Sequence, residues 1–161
     1  GRAASGAGQK GKAMAITRAD VEKVLIRRLG KTLTECGLDG ATNDGSNADL
    51  VDPIGYALRF LGITPASIAG VEDADLVTVA DVQADALLDV SEWRVLQSAL
   101  SNYTAVDFSV GPRSEKYDQL RAGIEAAIKR KSDYITATHG AGAMAVSGGS
   151  GLEQGTLRFE V

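Results

Sequence analysis

Apolar residues recur every three or four positions over four stretches of this chain, separated by polar, Gly-rich runs. In the first stretch Val21, Val24, Leu25 and Leu29 follow helical spacing. Thr17, with Asp20 three residues on, makes an approximate capping box, and Gly30 supplies a stop, so the pattern predicts a helix over 17–29. Residues 37–49 are Gly, Asp, Asn, Ser and Thr in close succession and predict a loop. A second helix is predicted over 52–61, with Ile54, Ala57, Leu58 and Leu61 as its apolar stripe and Gly62 as its stop. Its start is open. Either Asp52 caps it with Pro53 at the first helical position, or residues 48–51 are already helical with Pro53 one turn in. Residues 63–77, with Pro65 and Gly70, predict a connector, after which Thr78 and Asp81 read as another cap pair. Val82, Ala86, Leu87, Val90, Trp93, Leu96 and Leu100 then predict a long third helix over 78–102.

Residues 104–111 switch period. Val106, Phe108 and Val110 alternate with Asp107 and Ser109, which predicts a short strand or extended bridge. A fourth helix follows over 113–136, its buried face drawn from Tyr117, Leu120, Ile124, Ala127, Ile128 and Ile135. The long third and fourth helices are expected to pack antiparallel through Leu87, Val90, Leu96, Leu120, Ile124 and Ile128. Trp93, Tyr103 and Phe108 are expected in the core. After His139 the chain is rich in Gly, Ala and Ser, and its last residues, Leu157, Phe159 and Val161 alternating with Arg158 and Glu160, read as an amphipathic strand. That strand either docks on another protein or folds back to pair with 104–110. The fold class is therefore mainly α: a small bundle of three to four principal helices, with a short extended segment and an extended C-terminal tail. Three regions are expected: a flexible, basic, Gly-rich arm over 1–14, a helical domain over 15–139, and a Gly-rich tether with a docking strand over 140–161. Met14 looks like an ordinary start, so 1–13 is either a flexible arm or sequence upstream of the natural product.

Composition narrows the function classes. The 161 residues are 44% hydrophobic but only 5% aromatic, which predicts a core of Ala, Val, Leu and Ile. A single Cys, Cys36, excludes an internal disulfide framework, and one His, His139, excludes a two-His metal site within one chain. The net charge of −4 argues against a generic nucleic-acid binder. No apolar run reaches the roughly 18 to 20 residues of a membrane span, and the first fifteen residues hold no secretory pattern.

Candidate chemistry fails on spacing. The loop from Asp39 to Asp49 invites a calcium reading. An EF-hand frame on Gly45, however, puts the first ligand at Gly40, which has no side chain to offer. The Gly-rich runs at 140–144 and 148–151 lack the Gly-Lys-Ser/Thr of a phosphate loop. Ser147 or Ser150 with His139 would need an orienting acid and a rigid scaffold, and Cys36 would need His139 as its base. Cys36 reads better as a small hydrophobe, Asp85 and Asp89 as a solvated helix face, and Lys129-Arg130-Lys131 as too short a run to argue for DNA. The chain is expected not to be an enzyme and to need no cofactor.

The order helix, polar loop, helix, long helix, followed by Val110-Gly111-Pro112-Arg113 and the charged run Lys116 to Lys129, resembles the head-to-tail connector proteins of tailed bacteriophages. More specifically, it is similar to the adaptor family that packs under the portal, over roughly residues 15–138. The resemblance implies a ring of copies, typically twelve. The portal would lie on one side and a stopper or tail-terminator protein on the other, with DNA passing through without sequence-specific contact. The site would be the neck of the virion, the protein being made in the host cytoplasm, with no membrane involved. It also implies a tail reaching into the neighbouring ring, which makes Leu152, Leu157, Arg158, Phe159 and Val161 the expected partner-binding residues. In such a ring the segregated charge would matter. Residues 1–31 carry eight Lys/Arg against two acids, residues 35–92 twelve acids against Arg59 alone, and residues 110–133 six bases against four acids. The acidic 72–92 segment is expected to face bases of 18–31 or 113–131 across subunit boundaries. Two other readings are a small helical binding or regulatory module with a disordered tail, and a nucleic-acid-associated protein using the basic arm.

Overall fold

The structure is a computed structural model that describes residues 15–107 and 114–140. The arm over 1–14, residues 108–113 of the expected extended segment and the turn after it, and Leu152, Leu157, Arg158, Phe159 and Val161 lie outside the described residues. The helices are α1 (Arg18–Glu35), α2 (Val51–Phe60), α3 (Asp73–Leu76), α4 (Ala84–Asp107) and α5 (Ser114–His139), with single 3₁₀ turns at Ala48–Leu50 and Asp81–Gln83. The mainly α expectation holds. Among the described residues the only β pairing is an isolated bridge between Ser67 and Gly70.

Thr17 caps α1 as its sequence predicts. Its hydroxyl accepts from the Asp20 N–H at 3.2 Å and the Asp20 carboxylate accepts from the Thr17 N–H at 3.1 Å. Gly30 does not end the helix. The apolar stripe runs on to Leu33, which is fully buried, and Gly30 is small for another reason: a Cβ there would press on the Gly40 carbonyl, and one on Gly40 would overlap the Gly30 carbonyl. The loop backbone thus lies directly on the helix. The helix ends instead at Gly37, whose φ of 81° lets the Leu38 N–H reach back to the Leu33 carbonyl at 2.8 Å. The same arrangement ends α2 at Gly62, where the Ile63 N–H meets the Leu58 carbonyl at 2.9 Å.

Asp52 does not cap α2. Asn47 turns the chain earlier, its side chain accepting from the Asp49 N–H, so residues 48–50 are already helical and Pro53 sits inside the first turn of α2, where no N–H is required. Within the 63–77 connector lies the short α3, held by the Asp75 carboxylate, which accepts from the N–H groups of Glu72 at 2.8 Å and Ala66 at 3.0 Å. Thr78 is therefore no cap. The next turn starts after Ala80, whose N–H donates to the Gln83 side chain at 3.0 Å. That break turns Val79 inward and leaves Val82 90% exposed, off the apolar stripe where its spacing had put it. Residues 104–107 are the last turn of α4, not strand. The rest of the expected 104–111 segment lies outside the described residues; over 104–107 a short run fits either period, and the helix runs on from Tyr103, which is buried and stacks on Tyr117 of α5, ring centroids 4.8 Å apart.

α4 is the central helix. α1, α2 and α5 all pack on it. With Tyr103 against Tyr117 at one end and Asp89 against His139 at the other, α4 and α5 run antiparallel as expected. Leu87, Val90, Leu96 and Ile124 are buried in the core, and Leu120 and Ile128 are half-buried against it. Trp93 lies at the edge of the core beside Tyr56, 5.9 Å between ring centroids. Phe108 is outside the described residues.

Candidate functional site

Three groups of polar side chains organise the bundle, and each was a candidate for chemistry. The first is the Asp/Asn-rich loop. Its carboxylates are turned onto its own backbone. Asp39 accepts from the N–H groups of Ala41 and Thr42, both at 2.9 Å, Asp44 from Ser46, and Asp49 from the Asp39 N–H at 2.8 Å. The bonds from Thr42 and Ala41 hold the Asp39 carboxyl below its ordinary value, and those from Ser46 do the same for Asp44. These oxygens stabilise turns, and among the described residues no cluster of His, Cys, Asp or Glu has the form of a metal site. The loop is fastened to α1 by Glu22. This fully buried carboxylate accepts from the Gly45 N–H at 2.8 Å, the Asn47 N–H at 3.1 Å and the Arg18 guanidinium at 2.8 Å. Arg18 in turn donates to the carbonyls of Asn47 and Val71. Nothing in the local pattern marks Glu22, which sits among bases and looks solvated.

The second group is centred on Asp89. Read from sequence it is a solvated helix residue; in the structure it is only 7% exposed. Lys131 donates to it at 2.9 Å, the His139 ring lies at 2.8 Å, and Arg28 approaches to 3.7 Å. Glu92, one turn on, takes Arg28 at 2.9 Å and Lys131 at 3.1 Å. His139 is thus the last residue of α5, held against α4, and not part of a tether. Burial works against the Lys131 ammonium, yet the bonds it donates to Asp89 and Glu92, with their charges, outweigh it and hold its pKa above the ordinary value. The folded pKa is the higher one, so the pair's contribution is complete below the unfolded lysine's value near 10.5. It is lost as pH rises through the folded value. Asp89→Ala would leave Lys131 and Arg28 facing Glu92 alone. We expect a loss of about 2–3 kcal/mol in urea unfolding followed by circular dichroism. A loss under about half a kcal/mol would mark the cluster as an ordinary surface network.

These pairs also settle where part of the segregated charge goes. The acidic 72–92 segment meets bases of 18–31 and 113–131 within one chain, at Asp89 and Glu92, so these two acids are not the ones expected to face a neighbour.

The third group is Cys36, which closes α1 just before the loop and is 1% exposed. Burial, aided by the nearby Glu35 charge, pushes its thiol up to about 11. The Asn102 amide donates to its carbonyl, which places it beside the C-terminal half of α4, whereas His139 lies beside Asp89. Thirteen residues of helix separate those two points, roughly 20 Å. Thiol and imidazole therefore cannot act together. At pH 8 a thiol of pKa about 11 holds roughly 100-fold less thiolate than one of 9. Disulfide-exchange labelling of the folded protein should accordingly be at least about 100-fold slower than in denaturant; equal rates would show an accessible cysteine.

Taken together, the titratable side chains near one another hold helices and loops in place. The His–carboxylate pair is the only catalytic-looking element among the described residues, and the chain's thiol is remote from it. Neither a protein-family model, nor a curated protein, nor a solved structure matches this chain.

Proposed function

We propose that this chain is a structural connector of a tailed bacteriophage: an adaptor that forms a ring beneath the portal and joins the capsid vertex to the tail. The observation that carries the reading is the form of the bundle. Two long antiparallel helices are braced by α1 and α2, and the ionic groups between them are spent on holding helices together. Such a body suits a part that transmits load between larger assemblies. The chain leaves it at Gly140, whose φ of 95° ends α5 beside the start of α4. The segment beyond, with Leu152, Leu157, Arg158, Phe159 and Val161, would add as a strand to the portal, main-chain hydrogen bonds and the apolar side chains offsetting its ordering entropy.

The test is truncation after His139, assayed with the portal protein encoded beside the gene. The shortened protein should keep its helical spectrum and lose stable attachment to the portal in sedimentation. Unfolding would place the tail in the core. A folded variant that still attaches would move attachment to the bundle, and no attachment by the full chain would end the connector reading.

A further inference from the structure

Asp89 holds α5 at two points, and the two are unequal. Its Oδ1 accepts from Lys131 at 2.9 Å, and its Oδ2 lies 2.8 Å from Nε2 of His139. One carboxylate of α4 thus spans residues eight apart on α5, about 12 Å of helix. The Lys131 point is reinforced. Its ammonium also reaches Glu92 at 3.1 Å, and Arg28 of α1 meets both acids, at 2.9 Å from Glu92 and 3.7 Å from Asp89. The His139 point has Asp89 as its one polar partner among the described residues, with the Tyr134 ring edge-on at 6.4 Å between centroids. Between the two points the apolar anchor is Ile135, fully buried. Beyond it Thr136, Ala137 and Thr138 are all exposed. The side chains of this last turn therefore hold to α4 through His139 alone among the described residues. The turn ends at Gly140, whose N–H closes on the Thr136 carbonyl at 3.1 Å.

We propose that the Asp89–His139 contact is a latch on the last turn of α5. Closed, the helix runs to His139 and the chain leaves beside the start of α4. Open, residues 136–139 unwind while Lys131 and Ile135 keep the rest of α5 on α4. The order of release follows from the contacts: the turn nearest the C-terminal segment is the one held by a single side chain, and the stretch before it is held by a doubly paired ammonium and a buried isoleucine. A pull on the segment is therefore met first by the latch. Four residues of helix cover about 6 Å, and the same four extended cover up to about 14 Å, so opening adds about 8 Å of reach. The proposal deepens the connector reading and rests on it only for what the reach serves, which is to let the C-terminal segment meet a partner while the bundle keeps its place. The latch itself is argued from the contacts.

The experiment is amide hydrogen exchange on the full chain, read residue by residue, with rates taken relative to the unstructured chain. Helical spectra check that each variant folds. His139→Ala should speed exchange at 137–140 by about 5-fold or more and change 124–135 by less than about 2-fold. Alanine is the better helix former, so propensity alone predicts slower exchange there, and faster exchange assigns the effect to the lost contact. Lys131→Met keeps the aliphatic stem and removes the ammonium, and it should speed the whole stretch from 124 to 140. Unchanged or slower exchange at 137–140 in His139→Ala overturns the latch. So does an equal rise along all of α5 in that variant, which would make the last turn part of one unit with the rest. Lys131→Met acting on 137–140 alone would also overturn it, since the second point would then not hold the helix. Portal capture is scored separately. Exchange as expected with no portal attachment by the full chain supports the latch and fails the connector reading. Attachment together with an equal rise along α5 in His139→Ala fails the latch and keeps the connector.

Discussion

Glu22→Ala should destabilise the protein by about 3–5 kcal/mol, the range for removing one member of a buried, hydrogen-bonded charge pair. The carboxylate is fully buried and is the acceptor for two backbone N–H groups of the loop and for the Arg18 guanidinium. Alanine takes the acceptor away from all three donors, and it strands the Arg18 charge, only 13% exposed. Glu22→Gln discriminates between charge and shape. It keeps one acceptor oxygen but turns an NH₂ toward donors, so its loss should be large but smaller than that of alanine. Urea unfolding monitored by circular dichroism reads both. A loss under about 1 kcal/mol for alanine would mean that the loop does not depend on this anchor.

Leu96→Ala should cost about 2–5 kcal/mol. Leu96 is 4% exposed in the core around α4, and truncation would remove three carbon atoms from a closely packed site. The relaxed cavity sets where in that range the value falls. A change below about half a kcal/mol would put Leu96 on the surface and break the assignment of this helix face.

The four principal helices were legible in this sequence, while the short α3 and several boundaries were not, and each miss has a physical origin. Capping by Thr17 and the stop at Gly62 could be read because they depend on neighbours in sequence. Gly30 misled because a glycine required for close backbone approach looks the same as one required for a left-handed turn. The part of the expected extended segment at 104–107 was a period error on a short run: α4 continues through it, beside a Tyr103–Tyr117 stack that no local pattern encodes. Val82 left the stripe because the chain pauses at Ala80 before α4. The polar groups were the least legible. Glu22 and Asp89 carry the sequence marks of solvated residues, and their burial depends on partners from 18 to 47 and from 28 to 139. The charge blocks were visible as composition, but which acids were already paired was not.

The sharing of Asp89 and Glu92 has a consequence for how the molecule comes apart. Arg28 of α1 and Lys131 of α5 both end on these two carboxylates of α4. Each cation lowers the negative potential that the other meets. Releasing α5 would leave Arg28 alone with both carboxylates and strengthen its hold on α4, and releasing α1 would do the same for Lys131. Opening that starts at either helix therefore tightens the ionic hold on the other. Amide hydrogens in α1 and α5 should exchange with separate free energies rather than as one cooperative unit, although Arg28 and Lys131, 103 residues apart along the chain, end on the same two acids.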